Sequence, residues 1–411
     1  MVGKQYDGHG KQGTTQESSM RFLGAGGKMG FGNKYDEVFI VGQFTISNFK
    51  DAVVSFPGLV VEFDQSTYKG IDLGYTPVNP QNLRELHVGQ TSDDVYVISG
   101  TFNAGSIQKW DGNSWTTLGA VNNYPDDCVE DSNGNLYVSG RFTTIDGVTR
   151  TRVAKWDAAG ATWGDLGSGL NNIVWACDVD ENDDAYFGGQ FLNAGGNASA
   201  DRIAKWNGSA WSNMGTGANN TVRAVVSDRN GNVYMGGQFT SPGTRVARWN
   251  GTAWSNLGSG VNNTVFAMAT DSNGNLYVGG TFTTAGGSTA NRIAKWNSSS
   301  SSWSAMGSGF NGGVYFMSVD ANDNLYVTGN FNALGDGTSI GRVARWNGST
   351  WVDVLDEDGY VDKEGPLDHD SSGKLYVTSN SNYNLPINFI YQPYNRFARL
   401  FRNNLYKEPN S

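Results

Sequence analysis

The chain has 411 residues, 56 of them glycine and 13 tryptophan, with only 17% charged residues and a formal net charge of −10. This acidity argues against nucleic acid and membrane surfaces as main partners, because both attract an excess of lysine and arginine, and no apolar run approaches the roughly 18 residues of a membrane span. Abundant aromatic residues and Gly-Asn turns, in place of helix formers, indicate an all-β protein rather than a helical or disordered one.

The first 18 residues are rich in glycine, glutamine, serine and threonine, and they lack the apolar core and cleavage motif of a secretory signal. We interpret residues 1–18 as a flexible N-terminal arm. Residues 19–411 are expected to form one further domain, because a single internal repeat accounts for nearly all of them.

This repeat returns along the chain at intervals of roughly fifty residues. Its best copy, at residues 271–309, reads DSNGNLYVGGTFTTAGGSTANRIAKWNSSSSSWSAMGSG. Other copies begin at positions 131, 180, 228 and 320, and weaker ones at 36, 93 and 370. Each copy divides into four short segments separated by turn signals, which predicts four antiparallel strands, named A to D here. Units of this kind are typical of the blades of a β-propeller.

The turns and the aromatic residues of the repeat have structural explanations. Asp-x-Asn-Gly-Asn between strands A and B predicts a turn capped by the Asp side chain; Ca²⁺ binding is the alternative, although the loop supplies no bidentate glutamate. The recurrent Phe of GGxFT and the Trp of strands C and D suit a blade that must bury both faces against its neighbours. The positions are Phe44, Phe102, Phe142, Phe191, Phe239, Phe282 and Phe331, with Trp110, Trp156, Trp206, Trp249, Trp296 and Trp346 in strand C and Trp115, Trp163, Trp211, Trp254, Trp303 and Trp351 in strand D.

A ring of blades must also close, because closure removes exposed sheet edges. Eight repeat starts predict eight blades, and seven is the alternative if the first or the last unit falls outside the ring. Residues 20–26 read MRFLGAG and resemble the strand D segment WSNLGSG. We therefore expect residues of about 19–25 to complete the last blade as an N-terminal closing strand.

The repeat frame LYVGGxFT…RIAKWNG…W…LGSGxNNxVxAxxxDxNG, over residues of about 36–380, resembles β-propeller repeats of bacterial and phage proteins of the delta-sixty type, and more loosely kelch-like repeats. The resemblance implies a binding scaffold without catalysis in a cell-surface, secreted or virion protein. It weakens at both ends, where residues 60–64 read VVEFD in place of AKWNG and the last unit lacks the Phe of GGxFT.

The sequence contains no recognisable catalytic or metal-binding motif. His9, His87 and His369 are the three histidines, they lie in separate units, and the spacing of zinc motifs is absent. Cys128 and Cys177 occupy equivalent positions in neighbouring units, and we interpret them as small core residues, with a disulfide as the alternative. We expect neither enzymatic activity nor a cofactor or bound metal.

One strand A position, five residues before the turn Asp, varies within this uniform repeat. It holds Asp126, Trp175, Arg223, Phe266 and Tyr315 in successive units. Strand A lines the central channel of a propeller, so the last four residues are predicted to meet at the channel mouth, on the face of the D–A and B–C loops. Three aromatic residues and one arginine suit binding of a sugar or a peptide; the alternative is that they only plug the channel.

These features favour a non-catalytic virion protein, such as a phage tail, fibre or capsid surface component with a structural or host-attachment role. A polar, weakly charged surface suits an extracellular setting, and the missing export signal suits release by lysis. The expected partners are other virion or surface proteins, bound through the arm or the loop face, or a glycan. The alternatives are a secreted or cell-surface binding module and a propeller glycosidase or lyase, for which Glu85 and Asp126 would be channel carboxylates.

Overall fold

The structure is a computed structural model that describes residues 83–196, 200–354 and 365–378 in full, together with the backbone of further strands towards both ends of the chain. The N-terminal strands are β1 (Ser19–Phe22), β2 (Lys28–Gly32), β3 (Glu37–Val41), β4 (Val53–Val54), β5 (Pro57–Asp64) and β6 (Lys69–Asp72). The predicted arm, residues 1–18, lies outside the described residues.

Six consecutive units with four antiparallel strands each follow, hydrogen-bonded in the order A, B, C, D. Blade 1 contains β7 (Leu83–Val88), β8 (Val95–Thr101), β9 (Ala104–Trp110) and β10 (Trp115–Val121); blade 2 contains β11 (Pro125–Glu130), β12 (Leu136–Gly140), β15 (Val153–Asp157) and β16 (Thr162–Gly164), with the short hairpin of β13 (Thr144–Ile145) and β14 (Val148–Thr149) between its B and C strands. Blade 3 contains β17 (Val174–Val179), β18 (Ala185–Gly189), β19 (Ile203–Trp206) and β20 (Trp211–Asn213); blade 4 contains β21 (Val222–Ser227), β22 (Val233–Gly237), β23 (Val246–Trp249) and β24 (Trp254–Asn256). Blade 5 contains β25 (Val265–Thr270), β26 (Leu276–Gly280), β29 (Ile293–Asn297) and β30 (Ser302–Ala305), with the hairpin of β27 (Thr284–Ala285) and β28 (Ser288–Thr289); blade 6 contains β31 (Val314–Val319), β32 (Leu325–Gly329), β33 (Val343–Trp346) and β34 (Trp351–Asp353). The predicted all-β propeller architecture is confirmed.

The A–B turns are capped as the sequence predicts. The Asp131 carboxylate accepts hydrogen bonds from the backbone N–H groups of Asn133 at 3.0 Å and Asn135 at 2.9 Å. Gly134 takes a φ of +77°, which glycine adopts without steric cost. Lys155 Nζ, from strand C of the same blade, lies 2.8 Å from Asp131 Oδ2. The same turn bonds recur at Asp228, Asp271, Asp320 and Asp370.

The recurrent phenylalanine packs between neighbouring blades in most units. The fully buried copies are Phe142, Phe191, Phe239, Phe282 and Phe331. The blade 1 copy departs from the prediction, because Phe102 is 70% exposed. There β8 and β9 continue to pair up to Thr101 and Ala104, which leaves Phe102 in the two-residue turn between the strands. Phe44 lies outside the described residues.

The two tryptophans of each blade pack against each other, and the strand D tryptophan also contacts the preceding blade in blades 2–6. Their rings pair with centroids 5.2 to 5.5 Å apart. In blades 2–6 the strand D indole Nε1–H also donates a hydrogen bond to a backbone carbonyl of the preceding blade, within strand D in blade 1 and shortly after strand D in blades 2–5. These bonds join Trp163 to Leu118, Trp211 to Leu166, Trp254 to Met214, Trp303 to Leu257 and Trp351 to Met306, at 2.7 to 2.9 Å. Each of these five interfaces between blades thus has a directed bond in addition to apolar packing.

The ring closes through a blade shared by the two ends of the chain. This blade 7 begins with β35 (Leu367–His369) and β36 (Leu375–Asn382). Strand β5 pairs with β36, and β6 pairs with β5. The A strands of the described chain lie side by side in the order β7, β11, β17, β21, β25, β31 and β35, and β35 lies next to β7 again. The ring formed by these strands therefore has seven members.

The prediction of eight blades is corrected by this arrangement, because the first and last repeat copies do not form separate blades of the ring. The closing strand, predicted at residues of about 19–25, also differs from the prediction: its described part, β1 (Ser19–Phe22), pairs with β2, and β2 pairs with β3, in a sheet separate from the last blade. Residues 60–64, the VVEFD departure from the repeat, lie in β5 and take the place of strand C. At the outer edge of blade 7, β38 (Phe389–Tyr391) pairs with β39 (Ala398–Leu400), which borders β6; β37 (Leu385–Pro386) pairs with β4.

Within the described part of the chain, no helix has the length and apolar character that a membrane span requires.

Candidate functional site at the channel mouth

Strand A carries a β-bulge at the same place in each of blades 1–6. In blade 3 the pairing of β17 with β18 runs from Val174 opposite Gly189 to Ala176 opposite Gly188, and it skips Trp175. A bulge re-aims the side chain of its extra residue, and here this residue faces the channel. The six bulge residues are Arg84, Asp126, Trp175, Arg223, Phe266 and Tyr315.

All six bulge residues line one cavity of about 440 Å³. The cavity thus brings together the four residues predicted from the sequence, namely Trp175, Arg223, Phe266 and Tyr315. Below them the wall is formed by the small side chains Ala176, Ala224 and Ala267 and by two methionines, Met268 and Met317. The geometry agrees with the predicted location, and the ligand-binding role of the four residues stays a prediction.

A carboxylate held by two arginines forms one side of the mouth. The side chain of Asp126 is only 2% exposed and forms ion pairs with Arg84, from the bulge of blade 1, and with Arg141. Arg141 Nε lies 3.0 Å from Asp126 Oδ2, and its Nη2 lies 3.3 Å from Oδ1. Both guanidinium groups also lie over the ring of Tyr124, at 5.1 Å for Arg84 and 4.6 Å for Arg141. Such a cation–π contact is a favourable environment for arginine.

Arg223 differs from these two arginines because Asp126 acts on it only at a distance longer than that of an ion pair. Among the described residues, no carboxylate forms an ion pair with it, and its buried Nε donor finds no acceptor. Its guanidinium lies 3.9 Å from the centroid of the Trp175 ring, and Arg141 lies 4.4 Å from the same ring. Burial, followed by the like charge of Arg141, lowers the pKa of Arg223. The cavity therefore holds an incompletely neutralised cation beside an indole that already contacts two guanidiniums.

The opposite side of the mouth is aromatic. The rings of Phe266 and Tyr315 meet edge to face, with centroids 5.3 Å apart and an interplanar angle of 82°. This arrangement is a favoured one for aromatic pairs. The two side chains come from adjacent blades, so the contact joins β25 to the neighbouring β31 on this side of the mouth.

Two further carboxyl groups line the cavity, one residue after the bulges of blades 1 and 2. Burial, with the neighbouring charge of Asp127, raises the pKa of Glu85 well above its ordinary value. Burial also raises the pKa of Asp127 to about 7, although backbone N–H groups oppose this change. These N–H groups belong to Cys177, at 2.7 Å, and Cys128, at 2.8 Å. Both cysteines are buried and free, as expected for core residues.

Deeper in the channel, acidic and histidine side chains bond to the inner edges of neighbouring blades. Strand A has an unpaired edge on this side, which a sheet must cover. The resulting bonds run from the backbone N–H of Cys177 to Asp127, of Ser227 to Asp178, of Val88 to Asp368 and of Glu130 to His87 Nε2, at 2.5 to 3.0 Å. His87 Nδ1 lies 3.4 Å from Asp368 Oδ2. Burial opposes both changes, but this contact raises the pKa of His87 and lowers that of Asp368.

Sequence reasoning missed two arginines of the mouth. Arg84 was overlooked because blade 1 has Gly89 where the other copies have the turn Asp that defines the position. Arg141 occupies the variable x of the GGxFT segment, which is adjacent in space to the start of strand A; its backbone N–H bonds to the carbonyl of Tyr124. Variation at this x position would have been the signal that identifies it.

Comparison with known proteins agrees with the fold. A family model described as the Rax2 C-terminal beta propeller domain matches residues 246–386. No curated protein sequence matches the chain. A similar solved structure is the extracellular domain of a putative hybrid two component system from B. thetaiotaomicron, 12% identical, with a TM-score of 0.53 over 78% of this chain and 40% of that one.

Two other similar structures belong to different functional classes. The WD40 beta propeller domain of Doa1 is 14% identical, with a TM-score of 0.51 over 82% of this chain and 98% of that chain. The GH74 enzyme of Niastella koreensis is 17% identical, with a TM-score of 0.51 over 73% of this chain and 51% of the enzyme. The chain thus spans well under two thirds of the bacterial extracellular domain and of the enzyme. Together these likenesses define the class: the chain is a β-propeller repeat protein.

Proposed function

We propose that the chain is a non-catalytic propeller that binds a protein or glycan partner at its channel mouth. One observation carries the proposal: six consecutive β-bulges aim six side chains of five residue types into a single cavity. If the bulge residues only had to fill the channel, uncharged residues such as those that the repeat already places beneath them would be sufficient. A cavity with charged and aromatic groups on opposite sides is the ordinary form of a recognition site.

We further propose that this binding serves attachment on a virion surface, as in a phage tail, fibre or capsid component. The resemblance to bacterial and phage propeller repeats and the polar, weakly charged composition support this setting. A secreted or cell-surface binding module is the alternative and would use the same cavity. Copurification of the native protein with assembled particles supports the virion setting, whereas release of the protein in soluble form, without particles, contradicts it.

The binding proposal is tested by screening the purified chain against an array of defined glycans and peptides. We expect retained ligands, and we expect replacement of both Trp175 and Tyr315 by alanine to abolish their retention. Phe102→Ala is the matched control, because this aromatic side chain is exposed on blade 1 and is not among the residues of the cavity. Unchanged retention by a folded double variant would refute the channel mouth as the binding site.

Glycoside hydrolysis is a second candidate, favoured by Glu85 and Asp127, two of the three carboxyl groups of the cavity. Burial raises the pKa of Glu85, and this is the direction that a general acid requires. Against this role, both oxygens of Asp127, the potential second group, accept backbone hydrogen bonds, one from Cys128 in the same strand and one from Cys177 in the adjacent blade. Hydrolysis of aryl glycosides that is lost on Glu85→Gln would establish the enzyme and refute the non-catalytic proposal.

A further inference from the structure

The ligand class can be inferred from the charges of the mouth. We propose that the cavity recognises a carboxylate carried by an acidic sugar, and that Arg223 is the side chain that binds this carboxylate. This inference rests on the proposed function, since it names the ligand of the same cavity.

The ion pairs of the mouth leave one arginine for an anionic ligand. Two arginines line the cavity, Arg84 and Arg223, and Arg84 pairs with Asp126 together with Arg141. Both oxygens of Asp126 are already engaged by Arg84 and Arg141. Arg223 is left without an ion pair in the described part of the chain, inside a protein whose formal net charge is −10. An arginine with no ion pair, whose buried Nε donor has no acceptor among the described residues, is the complement of a negative ligand group.

Glu85 and Asp127, the other carboxyl groups of the cavity, form no ion pair with Arg223. Burial and the charge of Asp127 raise the pKa of Glu85, which disfavours its charged form. Asp127 titrates only at about pH 7, and its two oxygens accept the N–H groups of Cys128 and Cys177. A ligand carboxylate would therefore find Arg223 with its donors available.

The shape and walls of the cavity favour a sugar as the carrier. A guanidinium presents parallel donors that match the two oxygens of a carboxylate. The wall formed by Phe266 and Tyr315 offers apolar surface for the C–H face of a pyranose ring. A volume of about 440 Å³ falls in the range of small-molecule sites. An extended peptide would bring only its end residues into such a space.

The test measures binding of methyl glucuronide and methyl glucoside, which differ only in carboxylate against hydroxymethyl, by ligand-observed NMR titration. We expect the glucuronide to bind at least about tenfold more tightly, because a charge-assisted hydrogen bond is lost with the carboxylate. Arg223→Gln should weaken glucuronide binding by about the same factor, and Arg223→Lys by less. Arg229→Gln is the matched control, since it removes the same charge from an exposed turn of the same blade.

The outcomes separate this inference from the proposed function. Equal binding of the two glycosides, no binding of either, or a glucuronide affinity unchanged in folded Arg223→Gln and Arg223→Lys would overturn the inference. Equal losses in the Arg223→Gln and Arg229→Gln variants would also overturn it, as unspecific charge attraction. A tripeptide with a free C-terminal carboxylate that binds more tightly than the glucuronide, and than its own amide, would replace the sugar by a peptide terminus. If array ligands still depend on Trp175 and Tyr315 in any of these cases, the proposed function stands without the inference.

Discussion

The directed bond between blades makes a prediction that two tryptophans of blade 5 can test against each other. Trp303 Nε1–H donates a hydrogen bond to the carbonyl of Leu257 at 2.8 Å. The Nε1–H of its neighbour Trp296 is buried and has no acceptor among the described residues. The two rings lie 5.3 Å apart. Replacement by phenylalanine thus removes a satisfied donor at one position and an unsatisfied donor at the other.

The expected magnitudes follow from these contacts. Each replacement by phenylalanine removes about 40 Å² of ring surface, which costs about 1 kcal/mol. Trp303→Phe also loses a hydrogen bond of about 1 kcal/mol. The loss is no greater because the Leu257 carbonyl still accepts the N–H of Gly260 at 3.0 Å. Trp296→Phe relieves an unpaired donor that costs about 1–3 kcal/mol, which offsets its loss of surface. We expect Trp303→Phe to be less stable than Trp296→Phe by about 2–4 kcal/mol.

Urea unfolding followed by far-ultraviolet circular dichroism measures this difference directly. A change in midpoint at constant slope reports stability alone. If Trp296→Phe costs as much free energy of unfolding as Trp303→Phe, or more, the hydrogen bond is not a significant part of the interface between blades.

Two further predictions concern the channel and the closure of the ring. The pKa of Asp127 is about 7 in the folded state and 3.8 in the unfolded state, so between these two pH values folding takes up a proton. The contribution of this protonated carboxyl group to stability is therefore fully present below about pH 4 and is lost as the pH rises through 7. At about 1.4 kcal/mol per pKa unit this loss of stability is at most about 4 kcal/mol, and solvent in the channel lowers it. The free energies of unfolding measured at pH 5 and at pH 8 should therefore differ less in Asp127→Asn than in the unmodified protein. An equal pH difference in the two proteins would contradict this assignment. A chain that begins at Leu83 lacks β5 and β6, so it should lose cooperative thermal unfolding or associate through the open edge of β36. Removal of residues 1–18 alone should leave the stability unchanged. A calorimetric transition that is unchanged in the chain beginning at Leu83 would refute this closure of the ring.

Much of the fold could be predicted because each repeat contains the turn residues and aromatic residues that determine its own strands. The capped turn at Asp131 and the buried Phe142 depend on contacts that the repeat pattern itself encodes. Closure could not be read in this way, because β5 and β36 are distant in sequence and β5 lacks the aromatic signature of strand C. Long-range pairing of this kind leaves no periodic signal.

The candidate site was predictable in part for a similar reason. Variation at one strand A position identified Trp175, Arg223, Phe266 and Tyr315, because the turn Asp marks the same position in each copy of the repeat. The bulge that aims these side chains inward is a feature of backbone pairing, which alternation of residues does not reveal. The ion pairs of Arg84 and Arg141 with Asp126 join strands and loops of two blades, so no pattern within one repeat contains them.

The most direct test of the account is a crystal structure of the chain bound to a ligand selected from the glycan and peptide array. The account predicts that the ligand occupies the cavity at the channel mouth, between Arg223 and the rings of Phe266 and Tyr315. A ligand bound on the outer strands of the blades, with the cavity unchanged, would contradict it.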